Sequence, residues 1–146
     1  MEKHIQIACK DDLGEILDLQ KQSFYLVSLL INDPNIQPMV QTYEELLQEF
    51  EKGIILKYTH NNKIRGSVRA FLDENICHIG KLIVHPDYQN QGLGRLLMSE
   101  IENIYNRCHK YVLFTGEITP NTFHLYSLLG YKEVERSHGM ITMEKM

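Results

Sequence analysis

Two glycines, Gly92 and Gly94, stand between an apolar run, Leu82-Ile83-Val84, and a segment with apolar residues at Leu93, Leu97, Ile101, Ile104 and Cys108. The run reads as a buried strand, and the spacing of the segment is helical. Pro86 and Asp87 stop the strand, because proline cannot donate to a ladder. A strand thus feeds a polar loop, and the loop feeds the N-terminus of a long amphipathic helix. The first N–H groups of a helix lack internal partners and carry partial positive charge. Glycines there let an anion reach the backbone without meeting a Cβ. The chemistry these residues suggest is the binding of a phosphate-bearing ligand.

Spacing discriminates among phosphate loops. A nucleoside-triphosphate loop needs Gly-Lys-Ser/Thr after four intervening residues, and that pattern is missing. A dinucleotide fingerprint needs a third Gly or Ala where this chain has Leu97, and its first Gly directly after the strand, where His85 to Gln91 intervene. Glu117, past the next strand, is placed as a ribose-binding acid would be, which favours the dinucleotide reading but does not outweigh those two failures. The plain alternative is that the glycines only allow close strand-to-helix packing.

Val84-His85-Pro86 followed by Gln89-x-x-Gly92-x-Gly94 resembles the acyl-CoA loop of the GNAT superfamily of N-acetyltransferases. Leu125-Tyr126-Ser127-Leu128-Leu129-Gly130-Tyr131 is similar to a second segment of that family. The resemblance implies that the loop residues Gln89, Asn90, Gln91, Gly92, Leu93, Gly94 and Arg95 hold the CoA pyrophosphate. It implies a fourth and a fifth strand that splay apart, with the acyl-pantetheine arm entering beside Leu82, Ile83 and Val84. It makes Tyr126 the group that protonates the departing sulfur and Tyr131 a packing residue. The family often has Asn seven residues before the tyrosine, where this chain has Thr119; Asn121 either reaches the cofactor or caps the helix after Pro120.

Transfer of an acetyl group from a thioester to an amine requires a proton acceptor, support for a developing oxyanion and a donor to the thiolate. Only direct attack is motivated, since no cysteine has an identifiable base beside it. A backbone N–H near Ile83 or Val84 is the expected oxyanion donor. Some relatives use a Glu on the fourth strand as base; the matching position here is His78, and imidazole accepts protons at neutral pH. In a regular strand His78, Gly80 and Leu82 share one face. Glu117 is the rival base, and a water chain with no dedicated base is a third reading. His85 reads as loop structure, and no His/Cys/Glu spacing suggests a metal site.

The 146 residues suit one domain, 1–146, with a real core. A net charge of −4 argues against nucleic acid as the main partner and suits a cationic substrate. Cys9, Cys77 and Cys108 form no close pair, as expected of free thiols in a reducing compartment, and Cys9 and Cys77 read as small core residues. No apolar run is long enough to span a bilayer and no signal-peptide pattern opens the chain, so no membrane association and a cytoplasmic location are expected.

The elements that must position the site follow in order. His4 to Cys9 reads as a strand, Asp11 or Asp12 as a cap, and Leu13 to Phe24 as a helix; Tyr25 to Ile31 continues it or starts another. Asn32-Asp33-Pro34-Asn35 is a turn, and Thr42 to Glu45 has capping-box spacing for a helix ending at Gly53 as its C′ residue. Ile54 to His60 and Ile64 to Leu72 form a hairpin, Ile76 to Val84 the fourth strand and Tyr111 to Thr115 the fifth, parallel to the fourth across a helix. A short helix from Pro120 to Leu129 and two last strands, Val134 to Arg136 and Met140 to Glu144, complete the chain. The fold class is α/β (α+β): a mixed, mostly antiparallel sheet of about six to seven strands flanked by helices.

The expected function is N-acetyl transfer from acetyl-CoA to a primary amine of a small molecule or peptide in a ternary complex. The alternative is a non-catalytic acyl-CoA-binding or sensing domain. Relatives build the acceptor side from the N-terminal helices, here Phe24 to Thr42, and commonly dimerise, with the last strands as a place for it.

Overall fold

The computed structural model describes residues 5–146. Strand β1 (Ile5–Ile7) leads through a 3-10 turn (Lys10–Asp12) to α1 (Leu13–Leu30), α2 (Gln37–Val40) and α3 (Tyr43–Lys52). Strands β2 (Ile54–His60), β3 (Lys63–Asp73) and β4 (Ile76–Val84) follow, then α4 (Leu93–Ile104), β5 (Lys110–Gly116), α5 (Pro120–Leu128), β6 (Lys132–Ser137) and β7 (Met140–Lys145). They form one seven-stranded sheet in the order β1-β2-β3-β4-β5-β7-β6. Every neighbouring pair is antiparallel except β4 and β5, which α4 joins by a crossover.

Turn chemistry sets the hairpins. Asn61 and Asn62 both take positive φ, 52° and 61°, as do Glu74 and Asn75, at 50° and 65°. Two successive left-handed residues match the right-handed twist of the strands they join. Whereas β6 is exposed along its length, helices pack on both faces of the central strands. On one, Leu93, Leu97, Met98 and Ile101 of α4 pack on Leu56, Val68, Ala70, Cys77, Ile79 and Leu113. On the other, Leu13, Ile16 and Leu19 of α1 and Leu46 of α3 pack on Ile55, Ile64 and Ile83.

The structure settles some expectations and corrects others. Tyr25 to Leu30 continues α1, leaving Leu26, Leu29 and Leu30 exposed. Cys9 is exposed rather than in the core, while Cys77 is buried. Asp12 stands at the start of α1 but makes no side-chain cap; its carboxylate accepts from Cys9 N at 2.8 Å and pairs with Lys57 Nζ at 2.8 Å. Burial works against that charge, yet Lys57 and the Cys9 N–H hold the carboxyl below its ordinary range. The Thr42–Glu45 capping box forms as expected. Gly53 ends α3 in an extended conformation, φ −152°, not a left-handed one. What demands glycine there is close approach: a Cβ would stand 2.1 Å from Ala70 O and 2.8 Å from Phe71 Cβ.

Candidate functional site

The parallel ladder between β4 and β5 is short. It pairs Ile76 with Lys110, Cys77 with Tyr111 and His78 with Val112, and it ends there. Both strands run on, β4 to Val84 and β5 to Gly116, without further pairing to each other. A bulge in β4 accompanies the separation. Arg69 of β3 faces Gly80 and Ser67 faces Ile83, so Lys81 and Leu82 together oppose Val68. Lys81 takes φ +52° to make this fit. A bulge bends its strand and increases the local twist, which turns the Leu82–Val84 end of β4 out of line with β5.

The bulge also changes which side chains meet. Cys77 and Ile79 face α4, whereas His78 faces α3 with Phe71, the ring it stacks on at 4.9 Å and 12°. Beyond Lys81, Leu82 turns to the α4 side: a Cβ on Gly94 would lie 3.7 Å from its Cδ2. His78 and Gly80 therefore do not share a face with Leu82, as a regular strand would require. Ile83 is buried against α1.

The loop between β4 and α4 is braced by its own side chains. Gln89 Nε2 donates to Val84 O at 3.1 Å, Gln91 Nε2 to Asp87 O at 3.3 Å, and Asp87 N to His85 Nδ1 at 3.1 Å. Asn90 and Gly92 both have positive φ, 62° and 82°. Gly92 is the N-cap of α4, and no side chain caps it. The first helical bond runs from Leu96 N to Gly92 O at 3.1 Å, so the N–H groups of Leu93, Gly94 and Arg95 precede the ladder. The place a Gly92 side chain would occupy is open. An uncapped helix N-terminus behind left-handed residues is a concavity of donors that suits a phosphate. The CoA pyrophosphate therefore fits the residues present, with Gln89 and Gln91 side chains shaping the loop and the backbone left free.

Tyr126 is carried to this place by α5. A Cβ on Gly94 would meet Leu125 Cδ2 at 3.2 Å, which puts the start of α4 beside the residue preceding the tyrosine. The Tyr126 ring is 7 % exposed and packs edge-on to Tyr131 at 6.0 Å. Burial pushes its phenol well above the ordinary range, so it stays protonated. Tyr131 is a packing residue with a second task, donating to Glu102 Oε2 at 2.7 Å.

The other candidates separate. Glu117 lies on the far side of β5, its N–H bonded to Gly139 O at 2.9 Å and its carboxylate 3.5 Å from Arg136 Nε. Asn121 is exposed within the first turn of α5 and does not cap it; Thr119 occupies the N-cap position. Thr119 is held inward by its bond to Gly116 O at 2.9 Å. Sequence reasoning missed Lys81 and Arg69. The signals were Arg69 between Val68 and Ala70 in β3 and Lys81 within the apolar end of β4. Among the described residues, no group of three or more His, Cys, Asp or Glu could hold a metal, and no helix is long and apolar enough to cross a membrane.

A mixed sheet opened between parallel strands, with an uncapped helix N-terminus beside the opening, is the framework of an acyl-CoA-dependent N-acyltransferase. The chain belongs to the GNAT acetyltransferase family: residues 33–140 match the family model described as the acetyltransferase (GNAT) domain. It is 26 % identical over 139 residues to the L-amino acid N-acyltransferase MnaT of Escherichia coli (strain K12), covering 87 % of this chain and 78 % of that one. Its fold is that of the PaiA N-acetyltransferase of Thermoplasma acidophilum in complex with coenzyme A, at TM-score 0.90, 18 % identity and 99 % coverage of both chains. A ribosomal-protein-alanine N-acetyltransferase of Brucella melitensis also shares it, at TM-score 0.76, 16 % identity and coverage of 97 % of this chain and 98 % of that one.

Proposed function

We propose that this protein transfers an acetyl group from acetyl-CoA to a primary amine by direct attack in a ternary complex. The observation that carries the reading is the uncapped N-terminus of α4, opening beside the unpaired ends of β4 and β5. Acetyl-CoA, when bound, supplies the acyl group as an activated thioester. The N–H groups of Leu93, Gly94 and Arg95 and the backbone from Gln89 to Gly92 hold its pyrophosphate. A backbone N–H of Ile83 or Val84 supports negative charge developing on the acyl oxygen.

As the C–N bond forms and the C–S bond breaks, one proton leaves the amine and one reaches the sulfur. His78 is the acceptor in this reading and Tyr126 the donor. The pairing of Glu117 with Arg136 favours His78 over Glu117 as base. His78 sits at the last paired position of β4, where the opening begins, and imidazole must be neutral to accept. His78→Ala is expected to lower kcat/KM by about a hundredfold, the contribution typical of a positioned proton acceptor, in a thiol-release assay with acetyl-CoA and an amine. An unchanged kcat/KM would remove His78 from the mechanism.

Calorimetric titration with acetyl-CoA, alongside NADH and ATP, tests the cradle first. Selective binding of acetyl-CoA is expected, with thiol release when an amine is added. Equal binding of NADH would return the loop to a dinucleotide role, and binding without thiol release on any amine would make the protein an acyl-CoA sensor.

A further inference from the structure

Arg69 is the least explained group in the molecule. It stands at the centre of β3 and is 5 % exposed. A buried guanidinium is costly unless its donors are paired. Its Nη2 donates to Gln20 Oε1 and, at 3.4 Å, to Gln41 Oε1. Its Nε lies 3.5 Å from Glu49 Oε1 without forming a hydrogen bond, and its Nη1 is sealed from solvent with no acceptor among the described residues. The group is held firmly all the same. Gln20 Nε2 donates to Gln41 Oε1 and to Pro38 O, each at 2.9 Å, and Gln41 Nε2 donates to Glu49 Oε2. Side chains from α1 and α3, and from the residue after α2, thus fix a guanidinium whose Nη1 has no acceptor among the described residues and whose Nε has only the ion pair with Glu49.

A second cation joins it. In a regular strand Lys81 would point to the α4 face with Ile79. The bulge at φ +52° breaks that alternation directly after Gly80, the residue that opposes Arg69. Burial lowers the Lys81 pKa, Arg69 lowers it further, and Glu49 works the other way. The Glu49 carboxylate that pairs with Arg69 is 39 % exposed. Lys52 adds charge along the same face, its Nζ 4.0 Å above the Phe71 ring on which His78 stacks. Gly80 is the cross-strand neighbour of Arg69, and the place its side chain would fill is empty.

We propose that Arg69 and Lys81, above the empty position at Gly80, bind a carboxylate of the acceptor, so that the substrate is an amino acid rather than a polyamine. The inference rests on the acetyltransferase reading and names its substrate class. The unpaired Nη1 of Arg69 and the Lys81 ammonium offer one donor to each oxygen of a carboxylate. The same cations repel a substrate that carries only positive charge. A carboxylate anchored there lies on the face that carries His78, the proposed proton acceptor, and close to the opening of β4.

The test is a thiol-release assay with acetyl-CoA and a panel of L-amino acids, their amides and spermidine, compared as kcat/KM per free amine. The best amino acid is expected to exceed its own amide by about 10²-fold, because the amide leaves the site's buried donors unpaired. Lys81→Met and Arg69→Lys should each reduce that acid-to-amide ratio about tenfold, chiefly through KM. Lys81→Met keeps the test sound if Arg69 variants lose the packing of α1 on α3, and circular dichroism melting checks both. A ratio near one, or spermidine as the best substrate, overturns this inference and leaves the acetyltransferase intact. Acetyl-CoA binding with no transfer to any amine overturns both.

Discussion

Tyr126→Phe is expected to lower kcat about a hundredfold, roughly 2.7 kcal/mol of transition-state stabilisation, with little change in acetyl-CoA affinity. The substitution is clean because of where the ring sits. Its packing is apolar, against Tyr131 and the α4 face of the sheet, and a phenylalanine ring keeps all of it. Burial holds the phenol in its protonated form well above the pH at which a free thiol ionises, so the hydroxyl is always a donor. That same shift makes complete proton transfer uphill. The role expected of the hydroxyl is therefore a hydrogen bond that strengthens as charge builds on the sulfur, with the proton following. Single-turnover thiol release under conditions limited by chemistry measures the effect. An unchanged rate would show that water alone serves the leaving group, and the tyrosine would then be a core residue.

Deletion of Lys81 should separate the fold from its opening. Without that residue, Gly80 still opposes Arg69, Leu82 opposes Val68 and Ile83 opposes Ser67, all in a regular ladder. Ile83 keeps its place against α1 and Leu82 its place against α4, and one left-handed non-glycine residue disappears, a relief of about 1 kcal/mol. The melting temperature should therefore change little. Activity should fall by about 10² or more, because the strand end that carries Leu82 to Val84 loses the bend that holds it apart from β5, and reactions of this kind lose that much to a shift of about 1 Å. Lys81→Gly is the companion variant. It removes the ammonium but suits φ +52°, so acetyl-CoA affinity should survive it and fail in the deletion. Undiminished acetyl-CoA affinity in the deletion would mean that the bulge does not set the opening.

Much of this molecule was legible before its structure. The hairpins at Asn61-Asn62 and Glu74-Asn75, the capping box at Thr42–Glu45 and the strand-loop-helix around Gly92 all came from local signals. Gly92 needs its left-handed φ to start α4, and that requirement is visible in three or four neighbouring residues. Gly53 shows the limit. Its place after a helix pointed to a left-handed cap, but its real constraint is the β3 backbone, which no local window contains. Cys9 read as core because its neighbours are apolar, yet it lies past the end of β1, at the N-cap of the 3-10 turn, and is exposed.

Side-chain type and spacing were enough to determine the strand-loop-helix around Gly92, the succession of elements along the chain and the helix that carries Tyr126, because backbone dihedrals, capping and amphipathic period act over a few residues. The face on which Lys81 and Leu82 stand, the ion pair that occupies Glu117 and the burial of Arg69 were decided only by tertiary packing. Each depends on a strand pairing or a contact between residues far apart in the chain, and a single bulge reverses which side chains meet across the sheet.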